Sequence, residues 1–176
     1  MNIGRLIAAC LAGAAVVSMA GLPAYATGER ATVDVKDASG KSLGNIVVTD
    51  TTGGALIQVK LTGLPPGLHG FHIHETGKCE GDFTSAGGIH NPLGAKHGFT
   101  NEEGPMAGDL PNLIVPASGE IEIELITPLI SLSAPADDGV FDADGTAFVI
   151  FEKGDNYMSD PEGDAGARIA CGIFAK

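Results

Sequence analysis

The chain has 176 residues, and its 22 acids against 10 bases give a formal net charge of −12, a balance that repels nucleic acid and anionic membranes. Hydrophobic residues make up 44%, too many for an intrinsically disordered polymer. Glycine is abundant (26) and tryptophan absent, which together with short apolar runs suggests an all-β domain with many turns.

Residues 1–26 carry one charge, Arg5, then an apolar run over 6–20 and a small-residue site, Ala24-Tyr25-Ala26, before the polar Thr27-Gly28-Glu29-Arg30. This is the layout of a secretory signal peptide, and the run is too short for a comfortable transmembrane helix. Residues 7–10 (IAAC) have the look of a lipoprotein box, but too little apolar sequence precedes them. Cleavage after Ala26 leaves residues 27–176, a single domain of 150 residues with nine bases, 22 acids and a net charge of −13. That length is enough for a real core. The expected location is periplasmic or secreted, with no membrane association after cleavage.

Residues 31–36 (ATVDVK) alternate as a half-buried strand does, and Asp37-Ala38-Ser39-Gly40 reads as a turn. Strands follow at 43–49, 55–61 and 68–74, with turns at Thr52-Gly53-Gly54 and Leu64-Pro65-Pro66-Gly67. The pattern then stops. Residues 75–118 are rich in Gly and Pro without a sustained period, and a loop this long in a compact domain is functional or disordered. Strand signals return at 119–126, where Ile121, Ile123 and Leu125 alternate with outward-facing glutamates. Residues 129–133 extend the pattern as a further strand or a bulged continuation. Residues 146–152 (TAFVIFE) are an apolar strand, 153–167 a second irregular loop, and 168–174 (RIACGIF) the last strand. Seven or eight short strands with two long loops predict a sandwich or Greek-key barrel.

Cys10 lies in the expected signal peptide. Cys79 and Cys171 remain in an exported chain, which makes a disulfide the default. It closes a loop of about 90 residues, for which chain entropy gives roughly 4 kcal/mol.

All five histidines fall between positions 69 and 97. His72 and His74 are two apart on a strand, so both rings share one face, and two adjacent imidazoles are half of a copper or zinc site. His90 and His97 lie in the long loop, where Asp109 adds a carboxylate. His69 reads as a structural side chain.

Residues 67–75 (GLHGFHIHE) resemble the signature segment of the copper/zinc superoxide dismutases. So do Lys96-His97-Gly98, Gly108-Asp109-Leu110-Pro111, Gly154-Asp155-Asn156-Tyr157 and the terminal GARIACGI (166–173), in the family's order and at its spacing. The resemblance implies an eight-stranded Greek-key β-barrel, an immunoglobulin-like sandwich, with a Cys79–Cys171 disulfide. It implies superoxide as substrate and copper with zinc as cofactors. His72 and His74 match the first two copper ligands, His97 a zinc ligand and Asp109 the zinc aspartate. Asp155 matches the carboxylate that links the two metal sites. Arg168 matches the arginine that attracts and positions the anion.

Three positions depart from the family pattern. Phe151 stands where the last copper histidine belongs, Met106 where a zinc histidine belongs, and Ile89 where the bridging histidine belongs, with His90 one place later. Zinc of the family type is therefore not expected, because structural zinc takes four protein ligands. Copper is expected through His72 and His74 with His90 as a third candidate, a set that favours Cu(I). Dismutation needs both copper states. Three readings follow: a copper-only superoxide dismutase, a copper-binding or copper-tolerance protein with little or no dismutase activity, and a metal-free relative used structurally or to bind a partner. Superoxide or a copper ion is the expected partner, and monomer and homodimer both stay open.

Overall fold

The computed structural model describes residues 28–133 and 139–174, so the expected signal peptide lies outside the described residues. Nine strands are found among them: β1 (Arg30–Asp37), β2 (Ser42–Thr51), β3 (Gly54–Thr62), β4 (Gly67–His69), β5 (Phe71–His74), β6 (Leu113–Val115), β7 (Glu120–Thr127), β8 (Ala147–Phe151) and β9 (Arg168–Ile173). Seven form one curled antiparallel sheet in the order β5-β8-β9-β1-β2-β3-β7, and β4 pairs with β6 in a small second sheet.

Period-two alternation explains the body of the sheet. Ala31, Val33 and Val35 of β1, and Ala55, Ile57, Val59 and Leu61 of β3, are buried, while their neighbours face outward. The glutamates of β7 are exposed as expected, and Lys60 pairs with Glu122 at 3.2 Å on the wet face. Such an exposed pair contributes little. The core is the inner face, where Phe71 stacks on Phe148 at 5.1 Å and Phe148 on Phe174 at 4.8 Å.

β5 and β8 break the alternation, because every residue of both strands is buried. Their register gives the reason. Phe71 pairs with Ile150 and Ile73 with Phe148, and these four belong to the main core. His72 pairs with Val149 and His74 with Ala147 on the opposite face. That second face carries its own apolar cluster, in which Ala147, Val149 and Phe151 meet Phe83, Ala86, Ala165 and Cys171 from the loops and β9. The long loops therefore cover the outer face of β5 and β8. The Cys79–Cys171 disulfide, with Cα atoms 5.8 Å apart, ties the first loop to β9.

The expected single strand over 68–74 is split at Gly70. Its N–H donates to Lys153 O at 2.7 Å and its O accepts from Phe151 N–H at 2.9 Å. A Cβ there would lie 2.9 Å from Ala165 Cβ, so the break is also where the second loop packs against the strand. The 75–118 segment, read as irregular, contains a 3-10 turn (Thr84–Ala86) and the three-residue β6, which are too short to show a period. The strand expected at 129–133 does not form. Asp50 instead accepts the Leu132 and Ser133 N–H groups (2.7 and 2.9 Å) and the hydroxyl groups of Ser131 and Ser133, which takes backbone donors away from any ladder.

Candidate metal centre

His72 and His74 project from β5 to the outer face with ring centroids 6.2 Å apart, and neither is exposed. Phe151 of β8 lies against both, 5.1 Å from His72 and 5.8 Å from His74. The free edge of β5 is closed by the first loop. His90 N–H donates to Ile73 O (2.9 Å), Ile73 N–H to Gly108 O (2.9 Å), and Gly108 N–H to His90 O (2.8 Å). In this arrangement Ile89 bridges opposite His74 and Asp109 opposite His72. Alternation along the bridged segment puts Ile89 on the His74 side and directs buried His90 to the Ile73 side.

The hydrogen bonds fix the tautomers. His74 Nδ1 lies 2.9 Å from Gly87 O. A carbonyl only accepts, so Nδ1 carries the proton and Nε2 is left with its lone pair. His72 Nε2 lies 3.0 Å from Asp155 Oδ2, so Nε2 donates and Nδ1 is left bare. These two atoms, His72 Nδ1 and His74 Nε2, are buried and have no hydrogen-bond partner among the described residues. Orphaned buried acceptors are costly, and on adjacent rings of one face they suit a shared cation. Burial, reinforced by the charge of Arg168 and opposed by the Gly87 carbonyl, lowers the His74 pKa to about 3, so His74 is held neutral, as a metal ligand must be.

Asp155 organises the centre from behind. Its Oδ2 accepts from His72 and its Oδ1 from His97 Nε2 (3.0 Å) and Tyr157 N–H (2.6 Å). Burial would raise its pKa, but these donors hold it well below the ordinary carboxylate range. Its backbone is clamped by Asn112, which accepts from Asp155 N–H and donates to Asp155 O, both at 2.8 Å. Gly163, at φ +64°, passes so close that a Cβ would overlap the Asp155 carboxylate.

His97 is paired on both sides, with Asp109 Oδ1 on Nδ1 (2.7 Å) and Asp155 on Nε2. Burial opposes its charge, yet the two carboxylates raise its pKa to about 9. Asp109 Oδ2 accepts from the Gly98 and Met106 N–H groups at 2.9 Å each. His72, His97 and Asp155 bring one nitrogen or oxygen each within 4.8 Å of one another, but those atoms already bond to each other. His97 and Asp109 thus satisfy each other, and Met106 and Ile89 supply neither of the two further His, Cys or carboxylate donors that a four-ligand zinc site needs. The residues present do not fit a zinc site of the family type. They fit a copper ion at His72 and His74.

Arg168 opens β9 beside this face. Its Nη1 donates to Phe83 O (2.8 Å), its Nη2 to Gly87 O (2.8 Å) and to Glu162 Oε1 (2.5 Å), and its Cζ lies 5.9 Å from the Phe151 ring centroid. Gly87 O therefore joins His74 and Arg168. His69, read as structural, has its ring nitrogens 2.7 Å from Phe151 O and 2.8 Å from Pro65 O. The sequence offered no signal for Asn112, Gly87 or Glu162. Two of these act through backbone groups or on a backbone, and Glu162 is one acid among many in its loop.

A sequence profile of copper/zinc superoxide dismutase (SODC) matches residues 42–174. The chain belongs to the copper/zinc superoxide dismutase family. It is 42% identical over 142 residues to superoxide dismutase (Cu-Zn) 1 of Aquifex aeolicus, covering 80% of this chain and 84% of that protein. It is 43% identical over 145 residues to the superoxide dismutase-like protein YojM of Bacillus subtilis, covering 81% and 74%. Among solved structures, a SOD-like protein from Bacillus subtilis superposes with a TM-score of 0.78 at 41% identity, covering 82% of this chain and 97% of that one. The Cu/Zn superoxide dismutase of Brucella abortus gives 0.68 at 30% identity, covering 84% and 100%.

Proposed function

We propose that this superoxide dismutase-like protein is exported and binds one copper ion through His72 Nδ1 and His74 Nε2, with dismutation of superoxide to O2 and H2O2 a slow activity of that site. One observation carries the reading: two adjacent buried imidazoles each keep a lone pair with no donor facing it. Asp155 and the Gly87 carbonyl aim those lone pairs by accepting a hydrogen bond from the other ring N–H, the role that outer carboxylates and carbonyls play behind ligand histidines. Bound copper would supply a one-electron couple, accepting an electron from one superoxide and passing it to another. Arg168 would attract and orient the anion, and the Phe151 ring would keep water and further donors off one side. Two imidazoles beside an apolar ring favour Cu(I) over Cu(II), which slows a cycle that needs both.

A second reading is a copper-binding or copper-tolerance protein with little dismutase activity. It is favoured by Phe151 filling the place of a donor and by the ion pair already on Arg168. The deciding experiment is titration of the disulfide-bonded protein with Cu(II) and with Cu(I). Cu(II) should give one site whose EPR spectrum shows hyperfine coupling to two imidazole nitrogens, and Cu(I) should bind more tightly in competition with a cuprous chelator. A third nitrogen would bring in His90. Failure to bind either ion would refute copper binding and leave a metal-free member of the family. A dismutase assay on the loaded protein then separates enzyme from carrier.

A further inference from the structure

We propose that Glu162 is an internal competitor for the anion-binding face of Arg168, so that a small anion reaches the metal centre only by displacing this carboxylate. The inference rests on the reading of Arg168 as the anion-positioning group. The guanidinium is fixed by two carbonyls, Phe83 O and Gly87 O, which set its position without neutralising it. Its third partner is the Glu162 carboxylate, at 2.5 Å from Nη2. That contact has the chemistry of the ligand itself, an anionic oxygen on a guanidinium N–H, and charge-assisted bonds of this kind are about twice as strong as neutral ones. Incoming superoxide, a small monoanion, must compete with a carboxylate already in place.

The pair is also built to open. The Arg168 and Glu162 side chains are 12% and 25% exposed, whereas those of His72, His97 and Asp155 are at most 1% exposed. Glu162 sits in the irregular 153–167 segment, where Gly163 N–H is anchored to Ser159 O at 2.7 Å and Ala165 N–H to Glu162 O at 3.2 Å. The backbone is thus held while the carboxylate borders solvent. The positive charge of Arg168 lies beside the centre, since its Nη2 and His74 Nδ1 share the Gly87 carbonyl and its Cζ is 5.9 Å from the Phe151 ring centroid. A carboxylate on its outer side cancels part of that field towards an approaching anion. Long-range steering adds nothing in compensation, because the chain is strongly acidic and salt screens charges beyond about 8–10 Å.

The test uses azide as a small monoanion and the metal-free, disulfide-bonded chain, with the Arg168 side-chain 15N signals assigned by their loss in Arg168→Lys. Azide should shift those signals in Glu162→Gln at about tenfold lower concentration than in wild type, the size of one charge-assisted hydrogen bond in a partly exposed setting. Glu162→Asp, which keeps the carboxylate, should stay near wild type. Glu162→Ala gives the same readout should glutamine disturb the loop. Equal midpoints in wild type and both neutral variants would overturn the competition while leaving Arg168 as an anion site. No shift in any protein would overturn the anion role of Arg168 and this inference with it.

Discussion

Replacing Phe151 by histidine tests the central claim, that copper chemistry here is limited by a missing donor and not by a disordered site. Phe151 is fully buried, with its ring 5.1 Å from His72, 5.8 Å from His74 and 5.9 Å from the Arg168 guanidinium carbon. An imidazole at that position enters the same group of rings. Without metal the change is unfavourable. It gives up part of the roughly 1.5–3 kcal/mol that a buried phenyl ring contributes and buries a ring nitrogen that has no certain partner, at about 1–3 kcal/mol. A net loss of about 2–4 kcal/mol is expected, which lowers the metal-free Tm by about 4–16 °C for a domain of this size.

With copper the sign reverses. A third imidazole should tighten binding at least tenfold, about 1.4 kcal/mol, and should stabilise Cu(II) relative to Cu(I). The assay is calorimetry with and without one equivalent of copper, chelator competition for affinity, and superoxide dismutation by the loaded protein. Phe151→His should melt lower than wild type when metal-free, gain more on copper addition, and turn over faster. Unchanged affinity together with an unchanged rate would refute the reasoning.

Asp155→Ala leaves the Nε2–H groups of His72 and His97 facing no acceptor, so unfolding free energy should fall by about 3–5 kcal/mol and copper affinity by about 10–100-fold; a variant that melts lower but binds copper normally would separate Asp155 from ligand orientation. One equivalent of Zn(II), or excess chelator, should leave the wild-type Tm unchanged, whereas Met106→His combined with Ile89→His, which restores a four-donor set, should confer a zinc-dependent rise; a wild-type rise of several degrees would restore the family zinc site. The metal-free protein should also lose stability as pH climbs from about 6.5 to 9. His97 is raised above its unfolded value, so its contribution is complete below 6.5 and disappears as pH passes through about 9. His74 acts oppositely: its folded pKa of about 3 lies below its unfolded 6.5, so its contribution is complete above 6.5 and is lost as pH falls towards 3. Asp155 likewise loses its contribution in acid. Urea unfolding against pH should show a maximum near neutrality, and His97→Gln should abolish the alkaline decline; a decline that persists in that variant would assign it elsewhere.

The sheet was legible because each strand of its body buries one face, and alternation then reports burial directly. It failed where that condition failed. β5 and β8 are buried on both faces, so a run of apolar residues and histidines could not mark the break at Gly70, which is set by the second loop packing against it. β6 is three residues long and finds its partner, β4, 44 to 48 residues away in sequence, from His69↔Leu113 (113 − 69) to Gly67↔Val115 (115 − 67), a distance over which local pattern carries nothing. The apolar run at 129–133 looked like a strand because its sequence does not show Asp50, whose carboxylate captures the run's backbone donors from another part of the chain. The centre was legible where spacing does the work, as in His72 and His74. It was illegible where a carbonyl or a distant acid supplies the chemistry, as in Gly87 and Glu162.

The two halves of the centre have responded differently to their altered residues, and charge explains why. Asp109 and Asp155 are buried carboxylates, which must be paired. In the family pattern, zinc held by Asp109 would supply positive charge to this side of the centre. Here His97 lies between the same two carboxylates, with both ring nitrogens bonded to them and its pKa raised to about 9. An imidazolium thereby supplies the counter-charge without a metal, and the Gly98 and Met106 amides complete Asp109. Asp155 therefore keeps its place and continues to orient His72 although the zinc set is broken. Among the described residues no such internal substitute serves His72 Nδ1 and His74 Nε2. Phe151 has no donor to offer them and Ile89 has none either, so the lone pairs remain bare. One half of the centre is thus charge-balanced by His97 itself, whereas the other half holds two buried nitrogens that no described residue satisfies.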